Sequence, residues 1–525
     1  MAAVSIFNDV IGPVMRGPSS SHCAAALRIG RLARDLMDGQ ITEVLVEFDR
    51  GGALPTTHES QGSDMGLCGG LLGWEADDER LPDSMQALDS AGIRLRIETV
   101  DLGDPHPNTY RLKLRSAREQ HALIAVSTGG GMMEVICLDE VPLRIDGGYA
   151  ETLIWMEAGS AELPRRLAEQ IDAEEILGHE TGAGPLIQVK AAAHVSDEVL
   201  AELRPARVRR LRRVLPVPSR KELHLPFTTS TEMLNHDGDR HTPLWRLAVA
   251  YEMARGQFRE DEVIAKMIDL VRLLRRSIQR GIEGTQYADR VLGHQSGMFL
   301  QRMRAGQLLD GGALNRIVLY VTALMEVKSS MGVIVAAPTA GACAALPGAV
   351  IGMAEALGQS EEAMARALLA SGLVGVFIAT RWTFAAEVGG CQAEGGAAAC
   401  MAAAALVTLA GGSRDQALAA ASLAFQSMLG LICDPIANRV EAPCLGKNVM
   451  AASNALACAN MALADFDPLI PLDEVIEAAK QVAHRMPREH RCTSLGGLAT
   501  TPTSLAIERR LASLPDRGCG GCACH

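Results

Sequence analysis

The sequence predicts an α+β protein of several domains, and three observations carry that prediction. At 525 residues the chain exceeds what one hydrophobic core supports. Period-two apolar alternation marks strands in its first part, whereas apolar runs at helical spacing fill most of the chain beyond residue 222. Aromatics make up only 3% of the residues and the C-terminal half is rich in Ala and Gly, so its core is expected from closely approaching helices.

Residues 1–148 are expected as an α/β domain. Gly17-Pro-Ser19-Ser20-Ser21-His22-Cys23 leads into apolar positions at helical spacing, so a helix begins near His22 with hydroxyls at its N-terminus. Such a start is either an anion site suited to a substrate carboxylate or a plain serine cap with a solvated histidine. Strands are expected at 43–48 and 93–99. The polar loop between them carries His58, Gln61 and Asp64. Further strands start near Asn108 and Ala122, the second ending in Ser127-Thr128-Gly129-Gly130-Gly131. A tight hairpin explains those glycines as well as a binding loop does.

Residues 149–217 read strand, helix, strand, strand, helix, strand, the split ferredoxin-like order. This segment resembles an ACT-type regulatory module, a likeness of fold that implies no ligand. After the Pro-rich link at 215–219, residues 222–515 are expected as an all-α domain. Its helices are broken at Ala337-Pro-Thr339, at Gly390-Cys391, at Cys433-Asp-Pro and at Pro443-Cys444, places where a helical domain can aim groups into one cavity. Residues 516–525 form a Cys-rich tail with Cys519, Cys522 and Cys524.

A formal net charge of −12 argues against nucleic acid or an anionic membrane as partner. The N-terminus lacks the pattern of a signal peptide, and the apolar runs near 367–380 and 395–413 read as buried helices rather than membrane spans. Thirteen cysteines in such a chain point to thiols and metal ligands in a cytoplasmic setting. Cys391, Cys433 and Cys444 sit on turns, where they are either packing thiols or the mount of a soft metal or iron–sulfur cluster.

The segments Gly-Gly-Cys391-Gln-Ala-Glu394, Cys433-Asp-Pro and Val440-Glu-Ala-Pro-Cys444, with Asn448, resemble the α part of the iron–sulfur L-serine dehydratases (L-serine ammonia-lyases). Ser19 to His22 and Ser127 to Gly131 resemble their β part, so the likeness covers most of the chain. It implies a 4Fe–4S cluster on Cys391, Cys433 and Cys444, whose fourth iron stays open as a Lewis acid for a small amino-acid substrate. A tail cysteine, with Cys524 counted among the metal ligands, would fill that position in the resting enzyme. Ser19, Ser20, Ser21, Gln61, Asp64, Ser127, Thr128, Gly129 and Thr339 are the implied substrate residues. His22 is the first choice of base and His58 the second.

The chain departs from the family pattern at Gln61, where histidine is usual, at Cys23 in place of Thr, and at Ala340, where some members carry Asn. Threonine, cysteine or a larger β-hydroxy acid therefore stands beside serine as substrate. A non-catalytic iron–sulfur or amino-acid sensor is the reading from another class, and a pyridoxal phosphate enzyme using Lys447 is the other enzyme. Cys68, Cys137, Cys400 and Cys458 read as packing, while Cys343 and Cys492 line the cavity without binding iron. A homo-oligomer is expected, with the active site between the first and third domains and His22 and Ser127 facing the cluster.

Overall fold

The computed structural model describes residues 3–157, 163–182 and 184–513. Two compact units result: Ser20–Leu223, and a second joining Met1–Ser19 to His224–His525. The protein is mixed α and β.

The unit of residues 20–223 holds a six-stranded sheet in the order Arg94–Val100, Glu43–Asp49, Thr109–Arg115, Gln120–Gly129, Met132–Leu138, Val141–Ile145. Only the first pair is parallel. Val44, Val46 and Phe48 alternate inward and meet Leu112, Leu114 and Leu123 in one core. Helices Ala25–Leu36 and Ser63–Leu72 share that core. They cross where glycine faces backbone, since a Cβ on Gly30 would stand 2.4 Å from the Leu67 carbonyl oxygen. The helix expected near His22 opens with one wide π turn, Ser20–Ala24, before the α-helix begins at Ala25. The glycines after Thr128 form a hairpin, with Gly129 opposite Met132.

A second sheet of this unit runs in the order Arg207–Leu211, Ala150–Trp155, Gly184–Ala191, Ala173–Thr181, every neighbour antiparallel. Ile154, Ile187 and Val189 build a core of their own with Leu167 and Leu200 from the two helices of this segment. From the other face, Leu153, Trp155, Leu186 and Leu211 enter the core of the first sheet. Residues 149–217 thus share apolar surface with the segment before them, and the expected boundary near 148 marks no gap in packing.

In the other unit the helix Ala397–Leu409 is buried along its length except at Thr408. Around it pack Glu361–Arg381, Arg414–Gln426, Cys444–Leu463 and Ala345–Ala356. Small residues permit the close approach: a Cβ on Gly281 would lie 2.3 Å from the Ala323 carbonyl oxygen. Glu361–Arg381 and Gln392–Leu409 are long and apolar enough to cross a membrane by length and composition, and 78% and 89% of their apolar windows are buried within protein.

The expected first domain loses its N-terminus to this unit. Ile6, Phe7, Val10 and Ile11 are buried, against helix Glu361–Arg381. The Glu252 carboxylate accepts the Ile6 N–H and the Ser5 hydroxyl, and the Tyr251 hydroxyl donates to the Val4 carbonyl at 2.7 Å. Val14–Arg16 then pairs antiparallel with Val333–Val335, which gives the helical unit a two-stranded ribbon.

Candidate active site

Backbone geometry gathers the cysteine segments. Gly390, at φ +67°, precedes Cys391 in a left-handed conformation that a side chain would resist. Gln392 ties that turn to the next segment: its N–H donates to Leu431 O at 3.0 Å, and its side-chain oxygen accepts the Gly430 N–H at 2.9 Å. Cys433 donates its N–H to His490 O at 2.9 Å, and Cys492 donates to Cys433 O at 3.3 Å. Cys444 opens the helix Cys444–Leu463. Asn448, one turn on, donates to Cys444 O and Gly341 O at 2.9 Å and accepts the Ala345 N–H at 3.0 Å.

The motif cysteines are buried, and Cys391, Cys433 and the partly buried Cys492 lie in one apolar patch with Ala386 and Leu431. Cys433 packs with Cys391 and Cys492, and these neighbours push its proton affinity up. Burial, and then the charge of Cys391, raise Cys444 as well. Lys447 supplies the counter-charge: its ammonium lies 3.7 Å from Cys391 Sγ, 2.6 Å from Asp434 and 2.7 Å from the Ile432 carbonyl. Burial opposes that charge, but Cys391 and Asp434 outweigh it and hold the ammonium protonated. Lys328, fully buried, donates to the Val440 carbonyl.

Glu394 stands beside the thiols. Thr339 donates its hydroxyl to the Glu394 carboxylate at 2.8 Å, and a Cβ on Gly341 would come within 2.7 Å of the same carboxylate. Burial first, and then the charge of Glu387, push Glu394 up to about 7, against the lowering pull of Thr339, Lys328 and Lys447. A carboxyl so tuned can take or give a proton at neutral pH. Thr339 was singled out by the sequence, but Glu394 and the ion pair of Lys447 were not. Their signal was spacing, Glu394 three residues after Cys391 and Lys447 three after Cys444.

Among the described residues, no three His, Cys, Asp or Glu side chains converge as ligands of a single ion. A cluster spreads its thiolates over separate irons instead. The thiols fit such a group in donor chemistry and burial: soft ligands in an apolar patch, with two cations to offset thiolate charge. Cys68, Cys343, Cys400 and Cys458 are buried and Cys137 is partly buried, none of them in a disulfide. Cys519, Cys522 and Cys524 lie outside the described residues.

The unit of residues 20–223 brings together a second polar set. Thr57 gives its hydroxyl proton to Ala53 O at 2.7 Å, so it accepts from His22 Nε2 at 2.9 Å. That assigns the His22 proton to Nε2 and leaves Nδ1 to accept from Ser21 Oγ at 3.3 Å. Burial, with help from His58, lowers His22 to about 4, so the ring is neutral at physiological pH. His58 moves the other way. Burial lowers it, but Nδ1 lies 2.8 and 2.7 Å from the two Asp64 oxygens, and that bond with the charges of Asp64 and Glu59 raises it overall.

The remaining sequence candidates in this unit are held mainly by backbone. Gln61 donates its N–H to Thr57 O at 2.9 Å. Ser127 is buried and donates its hydroxyl to Ser21 O at 2.7 Å, tying the hairpin to the π turn. Ser20 is buried, Ser21 half-buried and Thr128 exposed, and Gly129 has φ +103°. Ser19 belongs to the other unit.

Residues 236–499 match the family described as serine dehydratase alpha chain. The chain is 35% identical over 285 residues to the probable L-serine dehydratase, alpha chain, of Bacillus subtilis (strain 168), covering 54% of this chain and 95% of that one. To the probable L-serine dehydratase, beta chain, of the same organism it is 32% identical over 205 residues, 38% of this chain and 92% of that one. The L-serine dehydratase of Streptomyces coelicolor is 28% identical over 504 residues, 95% of this chain and 98% of its own.

Proposed function

We propose that this chain, which belongs to the L-serine dehydratase family with alpha-type and beta-type parts fused in one sequence, is a lyase that converts L-serine to pyruvate and ammonia. One observation carries the reading: Cys391, Cys433, Lys447 and Glu394 assemble within the family-matched residues 236–499 as buried thiols, a cation and a carboxyl poised near neutrality. A 4Fe–4S cluster on Cys391, Cys433 and Cys444 would supply an iron Lewis acid for the departing hydroxyl.

The chain's own groups do the rest. Lys447 places its ammonium beside the Cys391 sulfur, where it would offset the charge of a thiolate ligand. Glu394 is suited to pass a proton: loss of the serine α-proton and of the β-hydroxyl as water leaves an aminoacrylate, which hydrolyses to pyruvate and ammonia. His58, whose proton affinity Asp64 raises, is suited to meet a substrate carboxylate. His22, neutral and buried, offers Nδ1 as an alternative base. Ser19 to Ser21, Gln61, Asp64, Ser127, Thr128, Gly129 and Thr339 remain assigned to substrate binding. Lys447 is a poor Schiff-base lysine, because its ammonium is committed to Asp434, Ile432 O and Cys391.

Gln61 favours a second reading, in which the same chemistry acts on threonine, cysteine or a larger β-hydroxy acid. The antiparallel order of the small sheet supports a ferredoxin-like, ACT-like role for residues 149–217. That none of the ten described cysteines forms a disulfide supports a cytoplasmic setting, and a homo-oligomer is proposed beside it. The test is an anaerobic assay of 2-oxo acid and ammonia with L-serine, L-threonine and L-cysteine in turn. Pyruvate from serine at the highest kcat/KM is expected; release from another substrate alone selects the second reading, and no release from any sinks both.

A further inference from the structure

Helix Glu260–Glu283 carries Arg272, Arg276 and Arg280 in steps of four, so the three stand one above another along a single ridge. Like charges at that spacing repel and cost the helix stability. The ridge forms one wall of a groove of about 700 Å³, whose other side includes Tyr320 of helix Ala313–Lys328 and Glu355 of helix Ala345–Ala356. No step of the catalysis proposed above uses these residues.

The carboxylates of the groove are already committed. Glu361 accepts from Arg272 Nε and from an Arg275 guanidinium nitrogen, each at 2.9 Å. Glu355 accepts the Tyr320 hydroxyl and stands 3.3 Å from Arg275 Nε. Burial, and then Glu355, push Tyr320 up to about 12, so the phenol adds no negative charge. Glu283 accepts from the Gln279 side chain at 2.9 Å. Arg276 and Arg280 are left exposed on the groove with no ion-pair partner among the described residues. The chain has 62 acidic residues against 50 basic ones, so two arginines without carboxylates do not reflect a shortage of them.

We propose that this groove binds a small phosphoanion through the guanidinium groups of Arg276 and Arg280. Two unpaired positive charges match a group that carries about two negative ones near neutral pH, which a single carboxylate does not. The planar guanidinium forks suit the oxygens of a phosphate, which accept paired N–H bonds. The bound anion also removes the repulsion along the ridge. Arg272 and Arg275, held by Glu361 and Glu355, frame the site and leave the two free arginines to the ligand.

The test is isothermal titration calorimetry of pyrophosphate into the full chain at constant ionic strength. Wild type should bind one pyrophosphate per chain. The double variant Arg276→Gln/Arg280→Gln should lose affinity tenfold or more. Arg302→Gln/Arg304→Gln removes the same charge from an exposed helix face outside the groove and should leave binding unchanged. No binding at millimolar pyrophosphate overturns the proposal, as does full affinity in the groove variant. An equal loss in both double variants makes the effect one of net charge and overturns it too. Sedimentation velocity covers the rival occupant, a second copy of this chain. If the groove variant dissociates an oligomer while pyrophosphate binding persists, the groove is an interface and the anion site is refuted.

Discussion

Replacing Lys447 with methionine removes the cation that links the cysteine segments. The side chains of Lys447 and Asp434 are 16% and 5% exposed, and their charges stand 2.6 Å apart. Opening a buried pair by deleting one partner costs about 3–5 kcal/mol, because the other charge is left uncompensated. Two features place this pair at or below the lower end. Lys447 keeps some solvent, and Asp434 retains the Leu498 N–H at 2.9 Å. A loss of about 2–3 kcal/mol is expected on that basis. Adding Asp434→Asn should recover about 1–2 kcal/mol, since the orphaned charge goes with it. Equilibrium urea unfolding of the cluster-free protein, followed by fluorescence, reads this directly. Trp382 is a local reporter, as a Cβ on Gly389 would lie 2.5 Å from its ring. A midpoint shift at constant slope measures the loss. A shift below about 1 kcal/mol, or strict additivity in the double variant, would refute the claim that the pair is coupled.

The same geometry sets three further outcomes. Glu394→Gln should lower kcat by about a hundredfold or more and remove a limb near pH 7 from the kcat/KM profile; a retained limb would clear Glu394 of proton transfer. His22 should stay neutral well below pH 6 in an NMR titration, and His58→Gln should raise its pKa by removing a neighbouring charge; no change would break the electrostatic link. Glu252, raised to about 7 chiefly by burial, binds a proton more tightly folded than unfolded, so stability is highest below the unfolded carboxyl range and falls as pH rises through 7. Glu252→Gln should flatten that slope in urea unfolding between pH 5 and 8, and an unchanged slope would locate the titration elsewhere.

How much of the fold and site is legible in the sequence depends on the range of the interaction. Alternation at Val44, Val46 and Phe48 announces a strand because one face of a sheet is buried, a local pattern. Sheet order is not local, and neither is the burial of Ile6 to Ile11 against Glu361–Arg381, more than three hundred residues away. The three motif cysteines are marked by their Gly and Pro neighbours. Cys492 is not, because its approach to Cys433 depends on a loop bridge across the intervening helices. Glu394 is visible inside a motif, yet its proton affinity arises from burial and from Glu387, which no spacing reveals. His22 stands out as a base by type and position, whereas its neutral state comes from burial and, second, from the neighbouring His58, which no spacing reveals.

Iron, colour and turnover measured on one anaerobic preparation test the central claim most directly. Wild-type protein should carry about four irons per chain, absorb as a brown iron–sulfur species, and release pyruvate and ammonia from L-serine, losing colour and activity together in air. Cys391→Ser should lose both. A colourless protein that still deaminates serine, or one that keeps full turnover after Cys391→Ser, would contradict the account.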